Sequence, residues 1–275
     1  MDPTSRGDPM SRAVLSAGAV TGAASAAPAG PVVGPRPPTL VAVGHGSRDP
    51  RAARTLAALV ARVRMARPGL DARIAYVEID RPLLGEVLAE LAGAAVVVPL
   101  LFGRGHHVKH DLPQALAGAG HLRGVVAGAL GPHPLLARAL HDRLTQAGWD
   151  AGGEAVVLAA AGSRDTDSAR DTERTAALLS DRLGGVPIVP GYASAAHPTV
   201  PQAVAALAER GLRKVAVASC FTAPGRFAAQ VAAAAPWIAA APLGTHPAMA
   251  ELVLRRYDEA CAGVRRIPGS SSFIG

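Results

Sequence analysis

The sequence predicts an α/β protein of two tandem similar domains, each an open parallel sheet with helices on both faces. The chain repeats itself. Residues 41–49 (VAVGHGSRD) align with 157–165 (VLAAAGSRD), and 76–82 with 192–198, both at an offset of 116. Residues 96–102 align with 215–221 at 119, and 130–134 with 243–247 at 113. Four segments in one order at a nearly constant offset mark a duplication. Within each repeat, short apolar runs alternate with segments of helical period, which is the rhythm of β-α-β units.

In the first repeat, residues 40–43 form an apolar run ending in glycine, as a buried parallel strand does. Residues 50–65 carry Ala53, Leu56, Ala57, Val60 and Val63 at helical spacing. A second strand is expected over 73–77. Pro82 suits the first turn of a helix running to Leu91. Residues 94–100 are fully apolar and read as a third strand. A helix is expected to open at Asp111-Leu112-Pro113, a fourth strand over 125–130, and a last helix over 134–146. The resulting division is a flexible arm over 1–38, domains over 39–149 and 150–264, and a tail over 265–275.

Two cysteines, Cys220 and Cys261, exclude a disulfide scaffold and a CxxC metal site. Of the net charge of +7, the arm contributes +1 and the last eleven residues +2, so +4 belongs to the repeats. Aromatic residues are 3% of the chain, too few for stacking platforms, and no basic run reaches five residues. The expectation is a cytoplasmic protein, monomer or homodimer, that binds neither nucleic acid nor membrane.

Ligands of such sheets sit beyond the carboxyl ends of the strands. That edge collects three loops, 44–50, 78–82 and 102–109. The first, Gly44-His45-Gly46-Ser47-Arg48-Asp49, is a tight turn with an accessible imidazole. The helix amides that follow it suit an anion. It is neither a nucleophile elbow, a Walker loop nor a dinucleotide fingerprint. The second loop carries Glu78. The third, residues 103–113 (GRGHHVKHDLP), holds His106, His107 and His110. His45, Glu78 and one of His106 or His107 then converge from adjacent strands. Two imidazoles and a carboxylate suit a divalent metal with an open position, and Zn2+, Fe2+, Co2+ and Ni2+ all fit.

The second repeat lacks these groups. Ala161 stands for His45, Ser194 for Glu78, and, at the sequence offset, Gly225-Arg226 for the histidine pair. Residues 162–165 keep the scaffold. Ligands kept on one side only point to a single site between two similar halves. His133 and His246 recur in both halves, each before proline, and read as structural.

Residues 44–48, Glu78, and 99–113 (PLLFGRGHHVKHDLP) resemble the sirohydrochlorin chelatases, class II ATP-independent enzymes that insert Co2+ or Fe2+ into sirohydrochlorin. The resemblance covers residues 39–262 and implies the long two-domain form, with its active site in the interdomain cleft. In the family motif, a histidine followed by a hydrophobic residue or Thr stands four positions before Asp-Ile-Pro. This implies His107 rather than His106, and leaves open whether His106 or His110 assists it. The resemblance further implies that His45, Glu78 and His107 bind the metal and take up pyrrole protons. The carboxylates of sirohydrochlorin would be met by Ser47, Arg48, Arg51, Arg104 and Lys109, with Ser163 and Arg164 from the second half. Ni2+ and Zn2+ would also serve in vitro. The rival functions are a metal or tetrapyrrole carrier without turnover and a metal-dependent hydrolase.

Overall fold

The computed structural model describes residues 36–265, so the expected arm over 1–38 and tail over 265–275 lie almost wholly outside the described residues. In chain order the elements are β1 (Thr39–Gly44), α1 (Pro50–Ala66), β2 (Ala72–Tyr76), α2 (Leu84–Glu90), β3 (Ala94–Pro99), α3 (Leu112–Ala117), β4 (Arg123–Val126) and α4 (Pro134–Gln146). They continue with β5 (Ala155–Ala160), α5 (Thr166–Arg182), β6 (Ile188–Tyr192), α6 (Val200–Glu209), β7 (Val215–Ser219), α7 (Arg226–Ala232) and α8 (Pro247–Arg265). Two parallel sheets result, ordered β2-β1-β3-β4 and β6-β5-β7. Each central strand is buried on both faces. Leu40 and Ala42 face one apolar cluster and Val41 and Val43 another, as the two-residue period of a strand requires. Val156 and Leu158 divide from Val157 and Ala159 in the same way.

Four local expectations are corrected. β4 covers Arg123–Val126 rather than 125–130. Its exposed start, Arg123-Gly124, suits a sheet edge, whereas Ala127, Ala129 and Leu130 leave the sheet to join the core. The helix assigned to Pro82 begins at Leu84, because the Pro82 carbonyl accepts a bond from the Tyr76 amide and Leu83 bridges to Tyr76, which holds this stretch extended beside the end of β2. The histidine loop is not open chain up to Asp111: His107–Asp111 is a π-helical turn running straight into α3. Finally, the sheet register resets the repeat alignment. Thr39 pairs with Ala95, and Ala155 with Val215, so Ala95 corresponds to Val215 at an offset of 120. His106 and His107 therefore correspond to Arg226 and Phe227, one residue beyond the Gly225-Arg226 given by the sequence alignment.

The closing helices of the two repeats are exchanged. α4 packs on α5 and β7 of the second repeat, and α8 on α1, β3 and β4 of the first. Each is fastened to the other half. Arg143 of α4 donates to the Leu243 carbonyl (3.4 Å), and Arg256 of α8 donates to the Leu130 carbonyl (3.4 Å), an equivalent pair of bonds. Tyr257 donates to the Pro38 carbonyl (2.7 Å). One apolar cluster consequently runs through both repeats, from Leu40 and Leu59 to Leu140, Leu158 and Leu252.

Candidate active site

The loop after β1 and the loop after β2 are bound to each other by one backbone bond and one backbone-to-carboxylate bond. The Glu78 amide donates to the His45 carbonyl (3.1 Å), and the Ser47 amide to Asp80 Oδ2 (2.9 Å). Gly46 lies between them at φ +105°, and a Cβ there would fall inside the Glu78 carbonyl oxygen. Only glycine combines that φ with that approach. His45 and Glu78 are thereby set side by side, with Nε2 3.6 Å from Oε1 and side chains about half exposed, 45% and 55%.

His107 arrives from the opposite strand. Its ring stands edge-on to that of His45, with centroids 4.8 Å apart. The π-helical winding brings Asp111 onto it, Nδ1 to Oδ2 at 2.5 Å. A carboxylate can only accept, so Nδ1 carries a proton, and in the neutral imidazole Nε2 then holds the lone pair. Asp111 also lies 3.6 Å from His106 Nε2, and His106 stacks toward His110 at 4.7 Å. His45, Glu78, His106 and His107 all line one cavity of about 730 Å³ between the repeats, whereas His110 lies outside the lining. Among the described residues, no three His, Cys, Asp or Glu side chains stand in an arrangement that would already hold an ion.

The substrate-contact candidates divide. Ser47, Arg48 and Ser163 line the cavity. Arg51, Arg104, Lys109 and Arg164 do not, and three of these four are engaged elsewhere. Arg51 closes on Asp49, whose carboxyl is held down to about 2, chiefly by the Arg51 side-chain hydrogen bond. Asp49 also accepts from the Arg51 amide (2.9 Å), so the first turn of α1 is capped by the chain itself and is not open to an anion. Arg104 forks onto Asp171 of α5, with Nε 2.9 Å from Oδ2 and Nη2 2.8 Å from Oδ1. The Asp171 side chain is 1% exposed. Lys109 binds Asp165 (2.7 Å) and Asp167 (2.8 Å), which raises its pKa. Arg104 and Lys109 thus hold the histidine loop against the second repeat, with their charges neutralised there.

Sequence reasoning missed two cavity residues, Arg226 and Phe227, because the alignment was one residue short. Asp111, expected only to open a helix, instead faces His107, a contact to which its four-residue spacing was the available signal. Cys220 lines the cavity too, but burial pushes its thiol up to about 12, so it is not a nucleophile near neutral pH. His133 and His246 lie outside the cavity and cap α4 and α8: their Nδ1 atoms accept from the amides of Leu135 (3.1 Å) and Ala248 (3.2 Å).

Comparison with known proteins gives a consistent picture. The model of the CbiX family matches residues 39–147 and, a second time, 155–260. Sirohydrochlorin ferrochelatase of Bacillus subtilis (strain 168) is 27% identical over 164 residues. That match covers 57% of this chain and 63% of the relative, less than two thirds of its length. Among solved structures, SirB from Bacillus subtilis with Fe3+ has a TM-score of 0.69 at 22% identity, covering 83% of this chain and 97% of that one. The sirohydrochlorin chelatase SirB from Bacillus subtilis subspecies spizizenii in complex with cobalt has a TM-score of 0.67 at the same identity and coverage. At this identity the likeness to both structures is one of fold.

Proposed function

Because the chain belongs to the CbiX family, we propose that it is a sirohydrochlorin chelatase, a lyase that inserts Co2+ or Fe2+ into the macrocycle without a nucleotide. The observation that carries this reading is the convergence of His45, Glu78 and His107 on one wall of a cavity whose other wall has Ala161, Ser194 and Phe227 at the same positions. Donors on one face of a planar substrate can pass a cation to the ring while the other face of the cavity supports it. Its reaction takes a neutral-core macrocycle and M2+ to the metal complex and two protons. His45 and the Nε2 lone pair of His107 are neutral donors that hold a partly dehydrated cation and release it as pyrrole nitrogens replace them. They are then free to accept the two departing protons, with Glu78 adjacent to His45 to balance the charge. Asp111 keeps His107 in the tautomer this requires. Two unpaired cysteines suit a reducing compartment such as the cytoplasm.

The test is the absorbance change of sirohydrochlorin with Co2+ and with Fe2+ at matched free metal, with and without the protein. The wild type is expected to accelerate insertion with at least one metal. His45→Ala and His107→Ala should each lose about a hundredfold or more, the usual scale for a removed acid–base group, with unchanged circular dichroism. A wild-type rate equal to the rate without protein would retire the reading in favour of a carrier.

A further inference from the structure

The cavity is cationic at one rim and neutralised at the other. Its rims are the two places where the loops of opposite repeats meet, and they are related by the duplication. At one, a Cβ on Gly105 would lie 3.3 Å from Ser163 Oγ; at the other, a Cβ on Gly225 would lie 3.2 Å from Ser47 Oγ. Both rims are therefore glycine pressed against serine. At the Gly105–Ser163 rim the neighbouring cations, Arg104 and Lys109, are consumed by Asp171, Asp165 and Asp167. At the Ser47–Gly225 rim the neighbouring residues are Arg48 and Arg226. Both are exposed and both line the cavity. Neither has a carboxylate within ion-pair distance among the described residues. The Arg226 guanidinium lies 5.0 Å from the centroid of the Phe227 ring, which orients it without cancelling its charge.

Resting on the chelatase reading, we propose that Arg48 and Arg226 form a carboxylate-binding rim that grips the acidic side arms of the macrocycle and fixes the edge by which it enters. Two forked guanidiniums on neighbouring loops match neighbouring carboxylates bidentately. The ring plane then lies between the imidazole wall and Phe227, and the opposite rim, closed by ion pairs, acts as the stop. Arg48 was a candidate from sequence; Arg226 is assigned by the corrected register, in which it takes the place of His106. A macrocycle bearing many carboxylates is selected over one bearing few.

The experiment separates binding from turnover. Uroporphyrin, an octacarboxylate macrocycle, and mesoporphyrin, a dicarboxylate one, are titrated by fluorescence against the wild type, the R48A/R226A double variant, R226E, and R62A. The last removes an exposed charge on α1 outside the cavity lining. The double variant is expected to bind uroporphyrin about tenfold or more weakly, the scale of a charge-assisted hydrogen-bond pair, and to lose the preference for eight carboxylates over two. R226E should lose more, and R62A should match the wild type. Co2+ binding by calorimetry and the melting temperature should be unchanged in every variant, and in the chelatase assay KM should rise while kcat holds. Uroporphyrin binding by the double variant within about twofold of the wild type, or a wild type indifferent to carboxylate number, overturns the rim. A wild type that binds uroporphyrin with this preference but inserts no metal retires the chelatase reading and leaves the rim standing. A wild type that binds neither macrocycle overturns the rim, and the chelatase reading then stands or falls on the sirohydrochlorin insertion rate alone.

Discussion

His133 and His246 occupy equivalent positions, each followed by a proline that begins a helix, and each ring accepts a bond from a helix amide. Burial lowers the pKa of both, against a partial opposing pull on His246 from Asp142 at 3.2 Å. Arg256 adds to the lowering at His133, and Arg143 and Arg138 to that at His246. With the folded pKa below the unfolded one, the unfolded chain binds more protons, so stability rises with pH. This contribution is complete above the unfolded histidine pKa of about 6.5 and is lost as pH falls through the folded values. Melting temperature should therefore drop between about pH 7 and pH 5, and H133N/H246N, which keeps side-chain caps, should flatten the drop; an unaltered slope in that variant would refute the assignment. Residues of this kind were legible, because comparing repeats separates histidines kept in both from those kept in one. The fates of Arg104 and Lys109 were not, because each depends on carboxylates of the other repeat, whereas Arg51 closes on Asp49 of its own loop.

The loops that build the site follow one plan in both halves, and that makes a paired test possible. Gly162 repeats Gly46, with φ +91° and a Cβ that would meet the Ser194 carbonyl. Ile79 and Ala195 repeat each other at φ 67° and 56°. Replacing either glycine by alanine should cost a similar amount of stability, on the order of 3 kcal/mol from the strained φ and the displaced carbonyl. Only G46A moves a histidine and a glutamate. Denaturant titration is expected to give comparable losses for G46A and G162A, while metal insertion at a temperature where both remain folded falls far more for G46A. Equal activity losses would argue that the loop contributes stability alone. The strands and long helices were readable from apolar runs and helical spacing. The π-helical turn was not, since nothing in GHHVKHD distinguishes a wide turn from a loop. The start of α2 was not legible, because a proline that suits a helix's first turn can equally end an extended segment.

At the scale of the whole molecule, the duplication was plain in the sequence but the exchange of α4 and α8 was not. Amphipathic spacing says that a helix covers a sheet, not which sheet. Because α8 covers β3 and β4 while α4 lies on β7, neither repeat buries both faces of its sheet with its own helices alone. Residues 39–149 produced alone would leave apolar strand faces bare where α8 belongs, among them residues that pack against Leu252 and Val253. Such a fragment is expected to elute from gel filtration as a symmetric dimer or to aggregate; a soluble, folded monomer would contradict the exchange. The full chain is in effect a dimer with its symmetry axis sealed by a peptide linker. A true symmetric dimer must place the same side chains on both walls of a central pocket, and here that would put two sets of imidazoles around a ring with one metal position. Joining the copies frees the walls to differ, so one kept its nitrogen donors while the other became a smooth bed of Ala161 and Phe227 beside the cation Arg226.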